Sequence, residues 1–281
     1  MKAQRHSRLN QLLHEVPDGF VVDSTWLKEM GLSASSIHGY VRNGWLEHLA
    51  PRLYRRGNPS LGDGQSVRWE ICLLSLQNIM KRPIHAGAMT ALELAGYWQY
   101  ATLGRRRVWL YTDDRRARGL LSRAPLDAEP ELRTRRLFKD PDLGIEARVL
   151  DLATSTLGAG IEPGPARSPL WKQHLSVSSL ERAILEVLAE IPSAISFEHG
   201  GELFEGLTTL RPALMKELLL SCTSIKAKRL FFYFSAQHRS RGRKHLRPED
   251  FDLGSGKRQI VPGGEFDSGF QITVPRRRGR R

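Results

Sequence analysis

The stretch STWLKEMGLSASSIHGYVRNGWLEHLAPRLYRRG, residues 24–57, decides how the N-terminal part of the chain folds. It predicts a short helix closed by a tight turn at Gly31, and then a second helix over residues 34–43. Residues 45–47 and 53–56 follow as two predicted strands joined by a turn. Two helices across a tight turn, followed by a two-stranded wing, are typical of a winged helix-turn-helix.

The residues before this stretch predict one more helix and a short extended segment. Apolar residues at helical spacing over residues 9–16 predict a helix that Pro17 and Gly19 end. Residues 20–22 are apolar and favour an extended strand, and Ser24 is a suitable N-cap for the next helix. We therefore predict a single winged helix-turn-helix domain over residues 1–60.

Helical periodicity divides the second helix of the motif into two faces. Ile37 and Val41 share an inward face that Tyr40 flanks, whereas the opposite face is small and polar. Polar side chains on such a face can hydrogen-bond base edges or phosphates, and a glycine at its centre allows the backbone to approach DNA closely. With the basic residues of the preceding helix and the wing, the predicted DNA-binding residues are Lys28, Ser35, Ser36, His38, Gly39, Arg42, Asn43, Arg52, Arg55 and Arg56.

The same residues also fit a simpler interpretation. Short helix-turn-helix patterns arise by chance, and winged helices also serve as protein-interaction modules. Ser35 and Ser36 are suitable N-terminal helix caps, and His38 is also typical of a solvated surface. The residue pattern alone therefore leaves DNA binding and protein binding open.

The charge of the chain favours a polyanionic partner. The 281 residues carry a net charge of +13, and seven of these excess positive charges lie in residues 171–281. No apolar run is long enough to span a membrane, and the basic N-terminus lacks the apolar region of a signal peptide. We therefore expect a cytoplasmic protein that does not associate with membranes.

The remainder of the chain predicts a larger domain of mixed helix and strand, so the predicted fold class is α+β. We expect this domain over residues 61–275, with a possible inner boundary in the Gly- and Pro-rich stretch 158–170 and a basic, disordered tail at 276–281. Strands are predicted at 108–112, 132–138, 146–150, 259–261 and 270–274, and residues 226–235 fit either a helix or a strand. The main predicted helices lie around 69–79, 87–95, 180–191 and 214–225.

No pattern in the chain predicts a catalytic centre, a metal site or a cofactor. The segment Gly254-Ser255-Gly256-Lys257 resembles the end of a P-loop, but Phe251 and Arg258 stand where that loop needs a glycine and a Ser or Thr. It is better explained as a turn leading into a basic strand, where Lys257 and Arg258 contact a phosphate or a protein partner. Asp140, Asp142 and Glu146 lack the lysine and the spacing of a nuclease.

Cysteines and histidines add no further site. Cys72 and Cys222 lie in apolar helical surroundings and are predicted to be buried structural thiols. The nine histidines show no spacing typical of zinc ligands. We therefore expect a protein that is not an enzyme.

Several segments resemble AbiEi-type antitoxins of type IV toxin–antitoxin systems. The winged helix is similar to the N-terminal domain of that family. Further similar segments occur in the family's order at 85–97, 177–192 with Ser179-Leu180-Glu181-Arg182-Ala183, 205–212, 252–258 and 271–275. Each segment is weakly specific, but the ordered set spans nearly the whole chain.

The resemblance implies two activities. The winged helix would bind inverted repeats in the promoter of its own operon as a monomer or a DNA-induced dimer, and repress transcription. The C-terminal domain would counter a nucleotidyltransferase-like toxin in an abortive-infection defence against phage. The alternative is a stand-alone transcriptional regulator whose C-terminal domain binds a ligand or mediates oligomerisation.

Overall fold

The computed structural model describes residues 2–57, 66–97, 105–151, 172–237 and 246–276. The chain packs into two units. Unit 1 comprises Met1–His85, Thr102–Arg133 and Ala147–Ser176, and unit 2 comprises Ala86–Ala101, Thr134–Glu146 and Val177–Arg281. Helices and strands occur in both, which confirms the predicted α+β class.

The N-terminal part of unit 1 has the element order of a winged helix. Helices α1 (Lys2–Glu15), α2 (Ser24–Glu29) and α3 (Ala34–Arg42) surround a small sheet. Its strands β1 (Val21–Asp23), β2 (Leu46–Ala50) and β3 (Leu53–Arg56) pair antiparallel in the order β1-β3-β2. Leu12, Val16, Leu27, Leu46 and Leu53 are all almost fully buried and form its apolar core.

One capping prediction in this motif was wrong. Ser24 was predicted as the N-cap of α2, but Asp23 occupies that position, and its Oδ1 accepts a hydrogen bond of 2.7 Å from the backbone N–H of Trp26. A carboxylate at the N-cap also has a favourable interaction with the helix dipole. Ser24 is instead the first residue of α2, and its N–H donates to the carbonyl of Arg52 in the wing.

Unit 1 continues well beyond residue 60. Helix α4 (Trp69–Leu74) runs directly into a π-helical turn (Ser75–Ile79), and the backbone N–H of Val21 donates to the buried Ser75 Oγ at 3.0 Å. This bond joins the winged helix to the next segment of the same unit. The observed division therefore differs from the predicted split into residues 1–60 and 61–275.

A five-stranded sheet lies mainly in unit 1. Its order is β6-β5-β4-β8-β7, and β5 and β6 pair in parallel. Helix α6 (Arg115–Leu121) follows β5 in the chain and buries Ala117, Leu120 and Leu121. The strands are β4 (His85–Ala86), β5 (Arg107–Tyr111), β6 (Glu129–Arg133), β7 (Ile145–Asp151) and β8 (Lys172–Ser178).

Unit 2 is mainly helical and ends in a small sheet. Its core contains an aromatic cluster in which Phe204 contacts Phe231 and Phe234. The helices are α5 (Ala88–Leu94), α7 (Leu180–Glu190), α8 (Phe197–Gly206), α9 (Pro212–Ser221) and α10 (Ile225–Gln237). The strands are β9 (Arg258–Gln259), β10 (Glu265–Asp267) and β11 (Ile272–Val274), in the order β10-β11-β9.

One predicted strand in the larger domain needs correction, one open assignment is settled, and one helix had no prediction. The strand predicted at 132–138 is observed at Glu129–Arg133, because its residues pair in register with β5 and the chain then leaves the sheet. The ambiguous segment 226–235 is helix α10, and helix α8 was not predicted. The predicted inner boundary at 158–170 and the tail beyond Arg276 lie outside the described residues. No helix in the described part of the chain is both long and apolar enough to cross a membrane.

Candidate nucleic-acid interface

Both ends of helix α3 are fixed by local contacts. Ser33 is its N-cap, and Ser33 Oγ accepts a hydrogen bond of 3.1 Å from the backbone N–H of Ser36. At the other end Asn43 is the C-cap, and Gly44 follows with a φ of 74°. These contacts fix where α3 begins and ends, so its outer face is a defined surface.

The turn between α2 and α3 has the glycine that the sequence predicted. Gly31 adopts a φ of 82°, a left-handed conformation that favours glycine. The guanidinium of Arg8 in α1 donates to the carbonyl of Met30 beside this turn. The α1 helix thereby satisfies a carbonyl at the C-terminus of α2.

Helix α3 divides into faces largely as predicted. Ile37 and Tyr40 are buried, and Val41 is half-buried beside them. The outward side chains of Ser35, His38, Arg42 and Asn43 are exposed, and Ser36 is half-buried. Ser33 Oγ lies 2.9 Å from the hydroxyls of both Ser35 and Ser36, so these two serines extend the cap network rather than cap the helix themselves.

Gly39 lies on this outward face without any packing reason for a glycine. Among the residues that the structure describes, a Cβ added at Gly39 would meet no heavy atom within 4 Å, the helix's own backbone apart, and Gly39 does not have a positive φ. Glycine in the interior of a helix costs about 1 kcal/mol relative to alanine. The space in front of the Gly39 backbone is therefore open to a molecule outside the chain.

Two basic side chains of the motif are exposed as the sequence predicted. Lys28 lies on α2, and Arg52 lies in the two-residue turn of the wing with a φ of 64°. Their charges face solvent, where they are available to an anion.

Two other predicted contacts, Arg55 and Arg56, are engaged within the protein. The side chain of Arg55 is 2% exposed and forms an ion pair with Glu47 on the neighbouring strand at 2.6 Å. Arg56 donates to the carbonyls of Leu13 and Val16 at the end of α1, and it forms an ion pair of 2.9 Å with Asp18. Alternation along β3 places Arg55 inward, and the free carbonyls at the end of α1 attract Arg56.

The C-terminal candidate residues lie where a loop that a buried arginine holds in place meets strand β9. Lys257 and Arg258 are exposed, and the Nζ of Lys257 lies 4.9 Å from the ring centroid of Phe266. Arg229 of α10 is 2% exposed, and its guanidinium donates to the carbonyls of Leu253, Gly254, Gly256 and Gln271. Burial lowers the pKa of Arg229, and the charge of Arg258 lowers it further.

This loop leads into strand β9, as predicted, and not into the helix of a P-loop. Gly254 and Gly256 both have a positive φ, so the backbone turns back on itself. Arg229 itself was not predicted, because a single arginine within an apolar run carries no periodic signal.

Two buried glutamates of α7 join the segments 85–97, 177–192 and 205–212 through charged contacts. Glu186 of α7 accepts from the backbone N–H of Ala88 at 2.8 Å and pairs with the fully buried Arg182. Glu181 accepts two hydrogen bonds from the side chain of Arg211. Burial raises the pKa of Glu181, but the hydrogen bonds from Arg211 hold this pKa below its ordinary value. These residues therefore have structural partners.

The remaining residues considered for chemistry also have partners within the chain. Asp142 pairs with Arg135, and Glu146 pairs with Arg211 at 2.6 Å. Burial raises the pKa of the Cys72 thiol to about 12, and it raises the pKa of Cys222 as well. Both thiols are buried, as predicted. Across the part of the chain that the structure describes, no group of three or more His, Cys, Asp or Glu side chains could hold a metal ion.

Comparison with known proteins identifies both parts of the chain. Residues 5–103 match a family model described as a transcriptional regulator, AbiEi antitoxin N-terminal domain. Residues 156–275 match one described as a transcriptional regulator, AbiEi antitoxin, type IV TA system. No curated protein matches the chain.

Among solved structures, the RV2827C protein from Mycobacterium tuberculosis is similar, with a TM-score of 0.52 and 16% sequence identity. The match covers 96% of this chain and 90% of that one. At this identity the likeness shows a shared fold.

Proposed function

We propose that this chain, which belongs to the AbiEi family of type IV toxin–antitoxin transcriptional regulators, represses its own operon and opposes the toxin encoded with it. Repression depends on binding of the winged helix to inverted repeats in the promoter. Antagonism of a nucleotidyltransferase-like toxin is the task of the C-terminal part. Neither task requires catalysis by this chain.

The observation that carries the DNA-binding proposal is the outer face of α3. That face is exposed and polar, and it has open space in front of Gly39. A recognition helix must bring its side chains to base edges in a major groove about 12 Å wide. A residue without a side chain at the centre of the face lets the helix approach the bases more closely.

The contacts we propose follow the exposure of each predicted residue. Arg42 and Asn43 contact base edges or phosphates, and Lys28 and Arg52 contact the DNA backbone on either side. Ser35, Ser36, His38 and Gly39 complete the surface that faces the groove. Arg55 and Arg56 are not in this set, because they hold the wing and the end of α1 together.

The DNA-binding proposal is tested by titrating the purified chain against its own upstream duplex and against an unrelated duplex. Arg42→Ala should weaken binding to the upstream duplex by about 1–3 kcal/mol if Arg42 contacts a base. Lys216→Ala is the matched control, because Lys216 is an exposed cation on α9 of unit 2. Equal binding of wild type to both duplexes would contradict promoter recognition.

The toxin-opposing proposal concerns the loop that Arg229 holds. This loop presents Lys257 and Arg258 to solvent next to the exposed ring of Phe266. An exposed aromatic ring with a cation beside it is a suitable contact for an acidic protein surface. We propose that Lys257 and Arg258 contribute to opposing the toxin.

Co-expression tests this second task with the full chain. The neighbouring nucleotidyltransferase-like gene should arrest growth when expressed alone, and the full chain should restore growth. Lys257→Ala/Arg258→Ala should restore growth poorly while it still binds the upstream duplex. Full restoration by this variant would exclude the two residues, and failure of wild type to restore growth would contradict the antitoxin assignment for this pair.

A further inference from the structure

Helix α6 of unit 1 carries two exposed arginines next to the helix-turn-helix. Arg115 and Arg116 are its first two residues, and both are exposed. Arg116 Nη1 lies 3.4 Å from Glu29 Oε1 at the end of α2, and these two side chains are 56% and 58% exposed. The basic residues of α6 therefore lie beside the first helix of the motif, although Arg116 and Glu29 are 87 positions apart in sequence.

Helix α6 is held firmly enough to present these charges at a fixed place. Asp114 is its N-cap and accepts from the backbone N–H of Ala117 at 2.8 Å. Ala117, Leu120 and Leu121 are buried on its inner side, and Arg118 Nε donates to the carbonyl of Thr112. Arg115 and Arg116 thus project from an ordered helix.

Other arginines in this region have roles within the protein. Arg106 lies over the ring of Trp69 at 5.4 Å, and Arg107 forms an ion pair with Glu131. Arg118 donates a hydrogen bond from Nε to the carbonyl of Thr112. Arg115 and Arg116 differ from them in position, because they are exposed at the end of α6 where Arg116 lies beside Glu29 of α2.

We propose that Arg115 and Arg116 contact the DNA backbone next to the winged helix, and that Glu29 competes with a phosphate for Arg116. This inference rests on the DNA binding proposed above. It extends the DNA-contacting surface beyond the winged helix to α6. The partner is the phosphate backbone of a duplex and not its base sequence.

Two physical considerations support this assignment. The first helix of a helix-turn-helix crosses the DNA backbone, so residues beside α2 lie close to phosphates when α3 is in the groove. An exposed ion pair is weak, whereas a guanidinium binds a phosphate through two parallel hydrogen bonds. Arg116 would therefore exchange Glu29 for a phosphate when DNA binds.

The first experiment measures how the affinity for the upstream duplex depends on salt. Each phosphate contact contributes about 0.9 to the slope of log K against log salt concentration. Arg115→Ala/Arg116→Ala should lower the slope by about 1.8 and weaken binding to specific and unrelated duplexes by a similar factor. Arg123→Ala, an exposed arginine just beyond the other end of α6, is the control and should leave the slope unchanged.

The second experiment tests Glu29 as the competitor. Glu29→Gln removes the carboxylate and keeps the size of the side chain, so it should bind the duplex up to about fivefold more tightly. Arg116→Ala should abolish that gain when the two changes are combined. Thermal melts of every variant should match wild type, because all four substituted side chains are exposed.

The outcomes separate this inference from the DNA-binding proposal. If wild type binds and Arg42→Ala weakens binding, an unchanged slope in Arg115→Ala/Arg116→Ala overturns the inference alone. Weaker binding by Glu29→Gln, or an equal loss of slope in Arg123→Ala, also overturns it. If wild type does not bind its upstream duplex, the DNA-binding proposal fails first and the inference fails with it.

Discussion

Replacing Gly39 by alanine should make the protein more stable and make it bind DNA less tightly. Within the described part of the chain and apart from the backbone of α3 itself, the added methyl group meets no heavy atom within 4 Å, and the backbone at Gly39 has no positive φ. The change therefore creates neither a clash nor strain. Since alanine is about 1 kcal/mol more favourable than glycine inside a helix, the free energy of unfolding should rise by up to about that amount.

The same methyl group lies at the centre of the proposed DNA-binding face. If the α3 backbone packs closely against the bases, the methyl group must push the helix away from them and weaken several contacts together. We expect a loss of about 1–3 kcal/mol in binding free energy, comparable to the loss of one base contact. A gain in folding stability together with a loss of DNA affinity would indicate that Gly39 is needed for contact with DNA and not for folding.

Two measurements on the same preparation test this prediction. Circular dichroism melts should show a midpoint about 2–4 °C above wild type, the shift expected for about 1 kcal/mol in a unit of this size. Fluorescence anisotropy with the upstream duplex should show weaker binding. Lys216→Ala is the control, because Lys216 is an exposed helix residue of α9 and belongs to neither the winged helix nor α6.

Any of three results would refute the reasoning. Wild-type affinity in Gly39→Ala would show that the α3 backbone does not approach DNA closely. A lower melting midpoint would show that the space in front of Gly39 is not open in the folded chain. A similar loss of binding in Lys216→Ala would show that the effect does not depend on the α3 surface.

The remaining predictions concern the interior of the protein. Arg229→Met should destabilise unit 2 by about 3 kcal/mol or more in urea titrations, because it leaves four carbonyls of the C-terminal loop without their donor; Arg229→Lys should recover part of that loss. The pKa of Glu181 is lowered in the folded chain, so its stabilising contribution is present above its ordinary pKa of 4.5 and is lost as the pH falls below that value. The stability difference between wild type and Arg211→Met should therefore be largest at neutral pH and shrink in acid, and a constant difference would contradict the cause given for the shift. Cys72 and Cys222 should react with a thiol reagent at pH 8 only after unfolding, since burial raises both pKa values and blocks access; rapid reaction of the native chain would refute their burial.

Local sequence patterns predicted the winged helix well because its elements are short and close in sequence. Gly31 and Gly44 adopt the left-handed conformations that end α2 and α3, and Ile37 and Tyr40 are buried as the periodicity requires. Exposure of Arg42 follows from the same periodicity. Such features depend on backbone geometry within one or two turns of helix.

Helices α8 and α10 could not be predicted with the same method. In α8, Gly200 and Gly201 argue against a helix, but a Cβ at Gly200 would lie 2.4 Å from Ile191 Cδ1, and one at Gly201 would lie 3.1 Å from the ring of Phe234. In α10, residues 227–234 are all buried, so the segment has no polar face to show its period. Only packing partners distant in sequence explain these two helices.

The sequence by itself determined that the chain begins with a winged helix-turn-helix and which face of α3 points outward. Tertiary structure alone decided which of the basic residues remain available. Arg55 pairs with Glu47, and Arg56 donates to the carbonyls at the end of α1. Arg116, which lies outside the winged helix in sequence, lies beside Glu29 of α2. The physical reason is that periodicity depends on neighbours in sequence, whereas the partner of a long charged side chain depends on what the fold brings within about 4 Å of it.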